Sequence, residues 1–519
     1  MKFTFKALII FFVALSSYAC QGPNNYDPAD RHYSQTFEPM KDTPMGRAIT
    51  MYKSQRPADS SGFYLLHDGL SAFVARVALI EAASQSLDLQ YYIFANDTSG
   101  KIIISKLLEA ADRGVRIRLL VDDLGTRVEN PQVVALDRHP NIEIRLFNPV
   151  VKRNGVSRAL EQLWHFGRIN HRMHNKLFIA DSLTMITGGR NIADEYFSSA
   201  NIDFQDIDII AVGAILPNAM RSFDEYWNSD GAIPVSLLFS KSESLPNLSD
   251  IRQSVAQFLL KQQHSEYSNA LHNSSLAQTL LTGNIPMTWG EATLYVDPPQ
   301  KALDHEHTEV EQYLGYHLKD IIEQANHSLK ISSAYFVPGQ EGAALLTKKR
   351  QQGVEVSILT NALSTTDVAI VHSGYSRYRK TLLEQDVQLW ELRSTAGQKQ
   401  RIHWFKGKSK ASLHAKTMVI DNNAAFVGSV NLDGRSFIQN TEIGLYIESD
   451  QINRQLSDLF DAWISPENAW QLSLDQSHNL TWQAHDNNHT ITLKKDPETS
   501  TWQRFKVWLL GLLPLEAQI

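Results

Sequence analysis

Two short stretches of the chain carry the same residue types at the same spacing: His174-Asn175-Lys176 running on to Asp181, and His414-Ala415-Lys416 running on to Asp421. On a β-strand, residues i and i+2 point to one face. Each stretch therefore offers an imidazole and an ammonium to the same ligand, which is a pair suited to phosphate. The register continues downstream, with Gly188-Gly189-Arg190-Asn191 after the first and Gly428-Ser429-Val430-Asn431 after the second. His, Asp, Gly and Asn recur at one constant separation. A single copy would be a weak signal, but two in step are strong.

A phosphodiester resists attack because its anion repels nucleophiles and its alkoxide leaves poorly. A site for it needs a nucleophile, an acid for the leaving oxygen, and positive charge on the equatorial oxygens. Two histidines on opposite sides of one phosphorus supply the first two. Lys176 and Lys416, with Asn191 and Asn431, supply the third.

The doubled pattern resembles the phospholipase D superfamily, whose signature is two copies of HxKxxxxD. The resemblance implies a covalent phosphohistidine intermediate and calls for no metal and no cofactor. We expect His174 as nucleophile and His414 as acid and then base, with the reverse assignment open in a pseudo-symmetric site. A nucleophilic imidazole must be held in one tautomer from its other nitrogen. Glu442 stands where the superfamily places that carboxylate relative to His414. Asp206 is the expected counterpart for His174, with Asp208 as its rival. Asp181 and Asp421 complete the motif at the far end of each strand, where hydrogen bonding within the structure is the expected role.

The elements that position these residues alternate in type. Strand-like runs at 62–67, 86–94, 115–122 and 142–147 are separated by helical spacing at 71–84 and 100–113. The second half repeats them, as Gln352-Gly353-Val354-Glu355-Val356 repeats Arg113-Gly114-Val115-Arg116-Ile117. The expected fold is α/β: two pseudo-symmetric phospholipase D-like domains, each a mixed sheet flanked by helices, with the active site at their interface. The expected boundaries are 61–231 and 290–466, a bridging insertion at 232–289, and an extension at 467–519 with an interfacial helix. Neither half would be competent alone.

At 519 residues the chain suits two domains, and a net charge of −7 argues against a general nucleic-acid binder. Residues 1–20 read as an export signal, with Lys2 and Lys6 leading into an apolar run and ending at Cys20, the only cysteine. This resembles a bacterial lipoprotein acylated at Cys20, although Ser17 stands where a lipobox has Leu. We expect an exported protein anchored on the periplasmic side, with 21–60 as a proline-containing tether.

The motif does not choose the substrate. Trp164 and Trp404, in matching basic and aromatic loops ahead of each motif, suit a bilayer interface. The chain from Gly62 onward resembles the C-type bacterial cardiolipin synthases in Leu89-Gln90-Tyr91-Tyr92-Ile93, in Asn170 to Lys176, in Asp367 to Tyr375, and in Leu512-Leu513-Pro514-Leu515-Glu516. Such enzymes move a phosphatidyl group to a hydroxyl of phosphatidylglycerol. The resemblance implies phospholipid partners, with phosphatidylglycerol or phosphatidylethanolamine as donor, a membrane surface, and no nucleic acid. His372, Tyr375 and Arg379 are further candidates for headgroup contact. Hydrolysis of phospholipids is the alternative reaction, and a non-catalytic lipoprotein binding anionic lipid is the alternative class.

Overall fold

The structure, a computed structural model, describes residues 31–126, 131–150, 170–197, 202–238, 247–263, 265–282, 285–304, 310–396, 410–486 and 489–512. Cys20, Trp164 and Trp404 lie outside the described residues.

The two halves match strand for strand. In the first, Ile142–Phe147, Arg116–Asp122 and Ser86–Tyr91 run parallel, and Leu177–Ala180, Thr184–Gly188, Asp208–Gly213 and Ser61–Leu66 follow antiparallel. In the second, Gln388–Leu392, Glu355–Asn361 and Ser328–Ser333 take the parallel places, and Lys416–Ile420, Ala424–Gly428, Ile443–Glu448 and Thr288–Val296 the antiparallel ones. The last strand of each series pairs with its counterpart, Gly62 opposite Trp289. The two sheets thereby join into one.

Helices Gly69–Ala82 and Thr98–Asp112 cover the outer face of the first sheet. Helices Leu314–Gln324 and Gly339–Gln351 cover that of the second. The inner faces share one core. Phe63, Ile179, Ile209 and Phe223 from the first half pack in the same cluster as Val419, Val427, Leu445 and Phe460 from the second. Burying this apolar area is what holds the halves together.

Strand pairing and hydrogen bonds carry the domains past the expected boundaries. Ala232–Pro234, assigned to the insertion, pairs with Ile142–Phe147 and closes the first sheet, as Ala469–Leu474 closes the second. The strand is too short to show a period of its own. Residues 31–37, assigned to the tether, are pinned to the first domain. Thr36 N donates to Asp224, and Arg118 bridges Ser34 O, Asp88 and Asp224. The chain then forms the helix Pro44–Lys53.

The motif aspartates do structural work. Asp181 sits in the hairpin turn at φ 52° and Asp421 in its counterpart at φ 48°. Asp tolerates this left-handed backbone better than most residues. The Asp181 carboxylate accepts from the backbone N–H groups of Ser84, Gln85 and Ser86 at 2.8–3.1 Å. Asp421 does the same for Asn326, His327 and Ser328. Each therefore fixes the start of the strand beside its motif. We expect Asp181→Ala to lose about 2–4 kcal/mol of stability, because the turn is strained and buried donors are orphaned. Asp181→Asn should lose less. Chemical denaturation measures both, and an unchanged midpoint for the alanine variant would contradict the assigned role.

Candidate active site

Each histidine enters the site on a segment hydrogen-bonded to the opposite half. Lys410–Leu413 runs parallel to Ile202–Gln205, and the N–H groups of His414 and Ala415 donate to Gln205 O at 2.9 and 3.0 Å. In the other half Met173 bridges Thr441, and His174 N donates to Thr441 O at 2.9 Å. Asn175 Oδ1 accepts from Thr441 Oγ1 at 2.7 Å and fastens the same seam.

The carboxylates are consequently exchanged. His174 Nδ1 lies 2.9 and 3.0 Å from the two oxygens of Glu442, and His414 Nδ1 lies 2.6 Å from Asp206 Oδ2. This corrects the pairing expected from sequence, which kept each carboxylate with the histidine of its own half. The same four side chains meet, but the bonds cross the interface. Asp208 is no rival, because its carboxylate is buried against Arg76 at 2.9 Å and accepts from Arg190 N.

The supports of the two carboxylates differ. Glu442 receives the Ser429 hydroxyl, while Asp206 lies over Gly189, where a Cβ would come within 2.1 Å of Asp206 Oδ1. The motif's second glycine position thus carries Ser in one half and must remain Gly in the other.

Lys176 Nζ donates to His174 O at 2.6 Å, and Lys416 Nζ donates to His414 O and lies 3.1 Å from His414 Nδ1. The asparagines have diverged. Asn191 is fully engaged, accepting from Ile93 N and donating to Tyr196 Oη. Asn431 is buried, and its amide oxygen has no hydrogen-bond partner among the described residues.

Aromatic rings wall both imidazoles, and sequence reasoning did not single them out. Tyr92 lies 5.1 Å from His174 edge to face; Tyr196 and Phe204 lie 5.0 and 5.1 Å from His414. Tyr92 stands in the motif Leu89-Gln90-Tyr91-Tyr92-Ile93, which was the available signal. Tyr196 and Phe204 break the repeat and left none.

His372, Tyr375 and Arg379 are placed in a different cluster. Arg379 is buried between Glu391 at 3.1 Å and Asp496 at 2.8 Å, Tyr375 packs beside it, and His372 lies 3.6 Å from Asp496. Arg379 takes its carboxylate partners from the strand Gln388–Leu392 and the segment before the last helix, while the Tyr375 hydroxyl and His372 Nε2 are buried with no hydrogen-bond partner among the described residues.

Both carboxylates are fully buried, while the histidine side chains keep about 12 % exposure. Burial, reinforced by Lys176 and Lys416 against the pull of Glu442, pushes His174 down to about 4. Burial and the same two lysines, against Asp206, push His414 down to about 3. With Nδ1–H given to a carboxylate, each neutral ring presents an unprotonated Nε2. Burial also lowers Lys176 to about 7 and Lys416 to about 8, against the carboxylates that favour their charge. Burial alone would raise Glu442 and Asp206, but the histidine and lysine beside each hold both below the ordinary range, Asp206 at about 2. The site can attack a phosphorus, hold its oxygens with cations, and pass a proton.

A family model described as the PLD-like domain of cardiolipin synthase matches residues 77–227 and 318–464, one match on each half. The chain belongs to that family. Cardiolipin synthase C of Escherichia coli (strain K12) is 38% identical over 475 residues, covering 91% of this chain and 99% of the relative. A cardiolipin synthase of Oceanobacillus iheyensis is 25% identical over 78% of this chain and 68% of its own length. Phosphatidylserine synthase of Haemophilus influenzae Rd KW20 shares the fold, at TM-score 0.53 and 15% identity over 91% of this chain and all of that one.

The buried charges set a pH profile for this cardiolipin synthase family member. Below about pH 4 the imidazoles protonate and lose their nucleophilic nitrogen; above about pH 7–8 the lysines lose the charge that holds phosphate. Because His414 must also carry a proton as the acid, we expect kcat/KM to decline as pH rises above about 4 and more steeply above about pH 7–8, with Lys176→Arg moving only the steeper limb upward. An acid limb near the ordinary histidine value with a level profile to high pH would contradict the assigned burial.

Proposed function

We propose that the protein is a cardiolipin synthase, a phosphatidyltransferase that joins two molecules of phosphatidylglycerol and releases glycerol. The observation that carries this reading is the exchanged pair of histidine–carboxylate contacts, His174 with Glu442 and His414 with Asp206. It gives one site two oriented imidazoles flanked by two lysines.

In the first step His174 Nε2 attacks the phosphorus and the bond to the headgroup glycerol breaks. His414, protonated on Nε2 and steadied by Asp206, delivers that proton to the leaving oxygen. The phosphate's negative charge favours this imidazolium, which burial otherwise opposes. In the second step His414 takes the proton from a glycerol hydroxyl of another phosphatidylglycerol. That oxygen attacks the phosphohistidine and regenerates His174. One phosphodiester replaces another, so no activated nucleotide is consumed. Lys176, Lys416 and Asn431 neutralise or bond the equatorial oxygens.

A lipid substrate is supported by more than the histidines. Helix Thr501–Leu510 buries Val507 against the body of the protein, and Trp502, Phe505, Trp508, Leu509 and Leu512 are exposed. Trp502, Phe505 and Trp508 form a continuous ladder with ring centroids 5.6 and 5.8 Å apart. A capped helix with an outward aromatic ladder fits the headgroup region of a bilayer. We propose the same surface as the membrane-facing side, with Cys20 as a lipidated anchor on the periplasmic side.

Product analysis with phosphatidylglycerol vesicles tests the reaction. Cardiolipin with an equivalent of glycerol is expected; phosphatidic acid would replace transfer with hydrolysis. His174→Ala and His414→Ala are each expected to lower turnover by about a thousandfold or more. A phosphorylated peptide trapped from wild type should carry the phosphate on His174. Near-normal rates in either alanine variant would overturn the assignment.

A further inference from the structure

Because the halves repeat strand for strand, an asymmetry between equivalent places points to a difference in use. Phe94 and Phe336 are equivalents, each bridging the loop after the motif hairpin at Ile192 or Leu432. In the first half, the space between helices Gly69–Ala82 and Thr98–Asp112 is closed by Tyr267 from the insertion. Its ring lies 4.4 Å from Phe73, which lies 5.5 Å from Phe197, and its hydroxyl donates to Asp194 at 3.0 Å. Helices Glu266–Asn273 and Ser275–Thr282 lie along the same surface.

Among the described residues of the second half, no ring takes the place of Tyr267. Between helices Leu314–Gln324 and Gly339–Gln351 a groove of about 690 Å³ remains, walled by Ile322, Phe336, Val337, Leu345, Leu432 and Phe437. The sequence opens it. With the helix ends superposed at Gly114 and Gly353, both in left-handed backbone, Gly342, which lines the groove, stands where the first half has Ile103. Phe437 matches Phe197, and Gly315, in place of Phe73, makes room for the Phe437 ring, which a Cβ there would meet at 2.7 Å.

Asp433, which lines the groove, also acts on the Lys416 charge. Leu432 directly follows Asn431, and Phe336 directly follows Tyr335, whose hydroxyl bonds Asp367, a carboxylate that acts on Lys416. A volume of this size falls in the range of ligand sites. The acyl chains of a phospholipid are joined to its phosphate through a glycerol, so they leave the reacting phosphorus by a neighbouring path. Tyr267 fills this space in the first half, where a smaller groove of about 350 Å³ remains beside Phe94 against helix Leu248–Lys261, and the larger groove stays open in the second half.

We infer that this groove takes an acyl chain of the phospholipid whose phosphate is held between His174 and His414. The inference rests on the phosphatidyl-transfer reading and adds where the lipid's apolar part binds. It makes the pseudo-symmetric site directional: the acyl chain lies on the His414 half, and the face toward the His174 half is left to the headgroup or acceptor.

The test compares long-chain phosphatidylglycerol in vesicles with dihexanoyl phosphatidylglycerol, using the full chain and two groove-filling variants, Ala344→Trp and Gly342→Leu. Filling the groove removes burial of several methylenes from the long-chain substrate alone. The long-chain to short-chain ratio of kcat/KM should therefore drop by about tenfold or more. An unchanged ratio in both variants, when both melt at the wild-type temperature, would overturn the inference. So would a change in sedimentation on filling the groove with no chain-length effect, which would make the occupant a second copy of the chain. Photocrosslinking with phosphatidylglycerol carrying a diazirine in the acyl chain reads occupancy without turnover. Label on the 336–348 or 432–437 segments, lost in Ala344→Trp, supports the groove. Label confined to the last helix overturns it. If wild type turns over neither lipid, the transfer reading fails, and the crosslink still decides the groove.

Discussion

The proposed chemistry depends on two hydrogen bonds that cross the pseudo-twofold interface, His174 to Glu442 and His414 to Asp206. An imidazole acts as a nucleophile or proton carrier only in the correct tautomer and orientation, and here each half supplies that control to the other. Half a site is therefore not a weaker site. It is a histidine without its orienting carboxylate and a buried carboxylate without its partner. The apolar core shared by both inner faces, and the edge strands paired at Gly62 and Trp289, make the arrangement permanent. The interface is as much a catalytic component as any side chain in it.

The electrostatics follow from putting so many ionisable groups in one buried place. Two lysines, two carboxylates and two neutral rings balance in charge, but burial opposes each ion. That opposition appears as lysines lowered toward neutrality and histidines held unprotonated. A phosphodiester brings the negative charge that the lysines and one imidazolium need. The site is organised around a charge distribution that its substrate completes, which is the physical content of preorganised electrostatic stabilisation.

Much of this was legible in the sequence because duplication makes its own control. A lone histidine two residues from a lysine means little, whereas a second copy with Asp, Gly and Asn in step identifies the strand, its hairpin and the motif turn together. The structural role of Asp181 and Asp421 was readable from their place at the strand end. The exchange of carboxylates was not. Register gives equivalence between halves, and Glu442 and Asp206 are equivalent whichever histidine they serve; only the parallel pairing of Lys410–Leu413 with Ile202–Gln205 decides it. Asp206 and Asp208 are likewise two residues apart on paper, yet one faces His414 and the other is sealed against Arg76. The cluster of His372, Tyr375 and Arg379 with Asp496 was not legible, because Asp496 lies more than a hundred residues further along the chain. Tyr196, Phe204 and Tyr267 belong to what the halves do not share, and repetition carries no information about them.

The exchange can be observed directly in the imidazole proton itself. In a His414→Gln background, the strongly hydrogen-bonded Nδ1 proton of His174, followed by NMR on protein labelled with nitrogen-15 histidine, is expected to vanish on Glu442→Gln and to persist on Asp206→Asn. Loss of that proton on Asp206→Asn, with persistence on Glu442→Gln, would show that each half orients its own histidine and would contradict the account.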